Sequence, residues 1–190
     1  MEYLFFGALA VLVIFGFVFY VLYANYNRVM ALDERCNTAY ADIDVLLKHR
    51  HTLLPGLMNL VKGSIDFEKE TFDRLMEMRE KAIQALSPKI RLNAEEKLGE
   101  NIASIVNAAE ANPQLRASEH FQKFRQELVD VENRITASRR FYNVTVEEFN
   151  ATVRQFPANL IASKARIGRR EHYSLGTEKL LMDEPVSVKF

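Results

Sequence analysis

Four histidines and a single cysteine are scattered through 190 residues, and their spacing decides what chemistry they could do. Di-metal helical proteins place a Glu three residues before each inward-facing His. None of His49, His51, His120 and His172 is preceded in that way. His49 and His51 are two residues apart, which puts them on different faces of a helix and disfavours joint chelation. With Lys48 and Arg50 they form the basic tetrad Lys48-His49-Arg50-His51. The tetrad reads either as a contact site for an acidic partner or as the solvated flank of a turn. Phosphate-cradling loops need clustered glycines, whereas Gly56, Gly63 and Gly99 stand apart. Cys36 falls on an apolar helical stripe, the setting of a buried, inert thiol. No catalytic, metal-binding or cofactor-binding residue is therefore assigned, and the chain does not read as an enzyme.

Two further groups carry charge in a pattern. Asp44 on one apolar helix and Glu132-Asn133-Arg134 on another flank hydrophobic seams. An ion pair of Asp44 or Glu132 with Arg134, within the domain or between subunits, would set register as much as stability. Towards the end of the chain Lys164, Arg166, Arg169 and Arg170 cluster, either as lipid-headgroup contacts or as a solvated basic tail. Lys+Arg 25 balances Asp+Glu 25, which gives no nucleic-acid signature.

The elements that must position these groups begin with a membrane-length segment. From Tyr3 to Ala24 there is no Asp, Glu, Lys, Arg or His. That run, about 22 residues or ~33 Å of helix, can cross a hydrocarbon core of roughly 30 Å. Tyr3, Phe5 and Phe6 lie at one end and Phe19, Tyr20, Tyr23 and Tyr26 at the other, as an aromatic belt requires. A cleaved signal peptide is the rival, but it wants a positive leading region and a small-x-small site, and Leu22-Tyr23-Ala24 has a bulky residue at the critical place. A retained anchor is expected. Arg28 and Arg35 follow the span, so the positive-inside rule puts the bulk of the chain in the cytoplasm.

Beyond the anchor the apolar period is helical, never two. Phe121, Phe124, Leu128, Val131, Ile135, Ser138, Tyr142, Thr145, Phe149 and Thr152 step by three and four towards Phe156, a heptad-like coiled-coil seam with Ser118 as its N-cap. Val29, Leu32, Cys36, Ala39, Ile43 and Leu46 predict one helix. Leu57, Leu60, Val61, Ile65, Phe72, Leu75, Met76, Ile83 and Leu86 predict a second. Asn93 with Glu96 opens a third, followed by Leu98, Ile102, Ile105, Val106 and Ala109. Prolines propose the boundaries: a turn is expected at Pro55-Gly56, with one long kinked helix as the alternative.

The expectation is an all-α chain: residues 1–25 as a single transmembrane helix, 26–163 as an antiparallel four-helix bundle, and 164–190 as a basic tail. Up-down order would put Lys48–His51 at the tip far from the membrane and the basic cluster back near it.

Several separated motifs resemble the LemA family. They are Asn25-Tyr26-Asn27, the run Ile43-Asp44-Val45-Leu46-Leu47-Lys48-His49-Arg50-His51-Thr52-Leu53-Leu54-Pro55, and Val61-Lys62-Gly63. Further along come Asn112-Pro113-Gln114-Leu115-Arg116-Ala117, Glu132-Asn133-Arg134-Ile135, Phe141-Tyr142-Asn143 and Phe156-Pro157-Ala158-Asn159-Leu160-Ile161-Ala162, with an echo in Val188-Lys189-Phe190. The resemblance implies an anchored four-helix bundle in a bacterial inner membrane, and supplies no catalytic residues. Relatives in magnetosome-forming bacteria, linked to membrane compartments, hint at scaffolding. Between Ser163 and Pro185 the chain departs from the family pattern, being basic rather than aromatic-rich.

The function expected is that of a membrane-anchored helical scaffold or interaction protein that binds lipid and forms homo-oligomers. The alternative is an adaptor for a membrane-bound signalling or stress-response protein, touching a protein partner through the basic tetrad.

Overall fold

A computed structural model of the chain describes residues 2–62, 69–85 and 88–173. Among the described residues there is no β-strand, and six helices follow in order. They are α1 (Glu2–Val61), α2 (Lys69–Gln84), α3 (Pro88–Ala111), α4 (Pro113–Arg116), α5 (Glu119–Thr152) and α6 (Ala158–Lys164). Ile65, Leu86, Gly63 and the Val188-Lys189-Phe190 echo lie outside the described residues.

Pro55 lies inside α1, and the expected turn there is absent. An interior proline costs about 3 kcal/mol by removing one hydrogen bond and crowding the preceding turn. Leu54 and Leu57 on either side are wholly buried, and Met58 nearly so. Each such side chain contributes about 1.5–3 kcal/mol by leaving water, which offsets the proline. Tertiary burial overrides the local rule. The other prolines behave as expected: Pro88 and Pro113 open α3 and α4, and Pro157 precedes α6. Because Pro88 starts α3, Asn93 sits inside that helix and is not its cap. The Asn112 side chain caps α4 by accepting from Gln114 N at 2.9 Å, and Ser118 Oγ accepts from Phe121 N at the start of α5.

The chain divides into two compact units. Unit 1 comprises residues 1–41 and 139–172. Here α1 first presents an uncharged apolar surface with almost every side chain exposed, Phe15 at 74% and Tyr20 at 66% among them. Its most apolar stretch has a mean hydropathy of 2.7 and is long and apolar enough to cross a membrane. Further along, Val29, Leu32, Cys36 and Ala39 are buried, as are Tyr142, Val146, Phe149 and Val153, and Ala158 and Ala162 of α6. Burial pushes the Cys36 thiol up, only partly opposed by the Arg170 charge, which keeps it protonated.

Among the described residues, unit 2 comprises 42–62, 69–85, 88–138 and Tyr173. Its core draws on five helices: Leu54, Leu57, Met58 and Val61 of α1, Leu75 and Ala82 of α2, Leu98, Ile102, Ile105, Val106 and Ala109 of α3, Leu115 of α4, and Phe121 and Leu128 of α5. On α2 the buried stripe runs through Leu75 and Ala82 with Met78 beside them, while Phe72 and Ile83 are exposed.

Candidate functional site

The apolar stripe of α1 steps through Ile43, Leu47, Arg50, Leu54, Leu57 and Val61, so a guanidinium occupies a core position. The stripe of α3 steps through Glu95, Leu98, Ile102, Ile105 and Ala109, so a carboxylate occupies another. The two meet inside unit 2. Arg50 Nη2 donates to Glu95 Oε2 at 2.5 Å and to the Glu95 carbonyl at 2.9 Å. Its Nη1 donates to Glu132 Oε1 of α5 at 3.1 Å. His51 Nε2 lies 3.1 Å from the Glu95 carboxylate and, because an ionised carboxylate only accepts, carries the proton of that bond. Arg50, Glu95 and His51 are 2%, 0% and 5% exposed; Glu132 is half-buried and reaches solvent.

One geometric requirement follows for Gly99, one turn beyond Glu95. A Cβ there would lie 3.0 Å from Arg50 Nη1, so the missing side chain makes room for the guanidinium. Burial raises the Glu95 pKa, but the His51 hydrogen bond and the Arg50 charge together outweigh it and hold the carboxyl below its ordinary value. Arg50 is therefore fork-bonded between two carboxylates, an arrangement a lysine's point charge could not reproduce.

A His oriented by a carboxylate could serve as a general base. Here the dyad is sealed within the core, and its other neighbour is a guanidinium, which fixes the groups rather than leaving them for a substrate. The cluster joins α1, α3 and α5 at one level, and its chemistry is registration. Among the described residues, no group of three or more His, Cys, Asp and Glu is placed to hold a metal ion.

The residues singled out from sequence fall as follows. Of the tetrad, Lys48 and His49 are exposed, whereas Arg50 and His51 are buried, so the four do not form one surface. Nor do they flank a turn, since α1 runs on past them. Within the chain, the expected pairing of Asp44 or Glu132 with Arg134 is not made. Asp44 pairs with Arg91 of α3 at 3.1 Å, Glu132 with Arg50, and Arg134 with Asp130 one turn away on α5 at 3.0 Å. The seams place Asp44 and Arg134 towards other neighbours, and each takes the nearest opposite charge. Of the basic cluster in unit 1, Lys164, Arg166 and Arg169 are exposed. Arg170 is held: its Nε donates to Asp33 at 2.9 Å, its Nη2 to Asn37 at 2.7 Å, and its backbone exchanges two hydrogen bonds with the Asn150 side chain. Glu95 was not singled out from sequence, and Gly99 only as an isolated glycine. The signal was a carboxylate three residues before Leu98 on the same stripe, which demands a buried cation.

These features define an all-helical protein with a membrane-length apolar helix at its N-terminal end. The LemA family model matches residues 39–190, and the chain belongs to the LemA family. It is 27% identical to Protein LemA of Metamycoplasma hominis, over 84% of this chain and 74% of that protein. It is also 20% identical to Magnetosome protein MamQ of Magnetospirillum gryphiswaldense, over 94% of this chain and 74% of that protein. A similar relative is Magnetosome protein MamQ 2 of Paramagnetospirillum magneticum, 20% identical over 87% of this chain and 69% of that protein. None of these names states a reaction.

Proposed function

We propose that this LemA-family protein is a membrane-anchored helical scaffold that assembles with copies of itself at the bilayer. The observation that carries the reading is the uncharged, almost wholly exposed apolar stretch of α1. In water such a surface is unfavourable by about 25 cal/mol per Å², and lipid removes that penalty. Residues 1–25 act as the anchor, residues 26–163 as an antiparallel four-helix bundle, and Lys164, Arg166 and Arg169 as contacts to anionic headgroups. Arg28 and Arg35, following the span, support a cytoplasmic side for the bulk of the chain at the bacterial inner membrane by the positive-inside rule.

Self-assembly draws support from apolar residues left uncovered on α5, Val129 in unit 2 and Phe141 and Val144 in unit 1. Two relatives named as magnetosome proteins accord with this reading. The adaptor reading has less support, because half of the basic tetrad meant to carry it is buried. Crosslinking after mild-detergent extraction tests the proposal. A ladder of identical subunits is expected, whereas monomers bound to one unlike protein would replace the scaffold with an adaptor.

A further inference from the structure

In unit 1, α1 and the end of α5 run antiparallel. Tyr40 packs on Tyr142 with ring centroids 5.6 Å apart, and Arg35 reaches Glu148 at 3.4 Å. Arg170, clamped to Asn150, reaches Asp33 at 2.9 Å. One residue forward on α5 thus matches about one residue back on α1. Continuing the register brings Val153 level with Val29, both buried, and brings the corner after Thr152 level with about Tyr26. That tyrosine closes the aromatic end of the uncharged segment.

At this corner the α5 seam is broken. Its next apolar position, Phe156, lies beyond the end of the helix and is 79% exposed. Leu160, one turn further along, is 57% exposed, while Ala158 and Ala162 supply the buried side of α6. Between Thr152 and Glu171 there is no acidic residue, but Arg154, Lys164, Arg166, Arg169 and Arg170 all fall there. Exposed apolar side chains bordered by cations, at the level of an aromatic belt, have the chemistry of an interfacial lipid contact.

We infer that Phe156 and Leu160 form a second membrane attachment, inserting into the headgroup boundary of an anionic bilayer beside the anchor. This rests on the reading of the α1 segment as a membrane span. The wedge fixes the tilt and rotation of unit 1 against the bilayer, which a single helix leaves free. Arg170 takes no part in headgroup binding, being held by Asp33 and Asn37; the exposed Arg154, Lys164, Arg166 and Arg169 do.

The chain contains no tryptophan, so a single introduced indole reports its own surroundings. The full chain carrying Phe156→Trp, Leu12→Trp or Val129→Trp is reconstituted into phosphatidylcholine–phosphatidylglycerol vesicles, with and without brominated acyl chains. For Phe156→Trp, blue-shifted emission that is quenched most by bromine near the headgroup is expected, and the quenching falls when phosphatidylglycerol is omitted. Val129→Trp should stay unquenched by either brominated lipid, whatever its emission maximum. Quenching at Leu12 with none at Phe156 overturns the wedge and leaves the anchor standing. Absence of quenching at both positions overturns the anchor, and the wedge with it.

Discussion

The Arg50 guanidinium and the Glu95 carboxylate meet at 2.5 Å with side chains 2% and 0% exposed, beside a core of leucine, isoleucine, valine, methionine, alanine and phenylalanine. Neither charge can return to water without opening unit 2. Removing one partner of such a pair strands the other, at about 3–5 kcal/mol. Arg50→Met is therefore expected to lower the unfolding free energy by that amount in denaturant titrations followed by circular dichroism. Arg50→Met combined with Glu95→Leu should recover most of the loss, because well-packed apolar residues commonly equal a buried pair. Additive losses in that double variant would contradict the registration role.

The same carboxylate sets a pH dependence. Folding depresses the Glu95 pKa, so protonation favours the unfolded chain. The stabilisation is whole above the ordinary glutamate value of about 4.3 and is lost as pH falls through the lower folded value. Glu95→Gln should accordingly be less stable than wild type near neutrality, with the gap narrowing below about pH 4. A gap that is constant over that range, measured by thermal unfolding from pH 3 to 7, would assign the acid sensitivity elsewhere.

Two helical glycines should respond with opposite sign. An alanine Cβ at Gly56 would rest in ordinary contact with the Phe124 ring, at 3.4 Å. Gly56→Ala is thus expected to stabilise by up to about 1 kcal/mol through helix propensity. At Gly99 the same Cβ meets the pinned Arg50 guanidinium at 3.0 Å, and Gly99→Ala should be less stable than wild type. Parallel melting curves of the two variants decide the point, and a gain at Gly99 would show that Arg50 yields freely.

Arg134 gives a control. Its partner Asp130 lies four residues back on an exposed face, and such pairs are worth about 0.3–0.5 kcal/mol. Arg134→Ala should leave stability within about 0.5 kcal/mol of wild type. Asp44→Asn removes a half-buried link from α1 to α3 and is expected to cost more, on the order of 1 kcal/mol. Equal effects of the two would remove the distinction between inter-helix and intra-helix pairs.

Much of the helical plan was legible because apolar spacing reports burial directly. The α5 seam from Phe121 to Thr152 is buried or half-buried throughout, and so are Leu98 to Ala109 on α3. What misled was local chemistry overridden by packing. Pro55 suggested a turn, yet the leucines around it hold the helix together. The charges of Arg50 and His51 suggested solvent, although both continue a stripe that began at Val29. A charged residue on an apolar stripe can be read either as the end of the stripe or as half of a buried pair, and the other half, Glu95, lies 45 residues away. Phe156 shows the reverse case: spacing placed it on the seam, but the helix stops at Thr152 and the ring leaves the core.

The account turns on lipid holding the first stretch of α1. Membranes from cells making the full chain, washed with high salt and then with alkaline carbonate, test this directly. The account predicts intact protein, first residues included, in the washed pellet and released only by detergent. Recovery of the protein in the aqueous wash, or of a shortened chain lacking the apolar stretch, would contradict it.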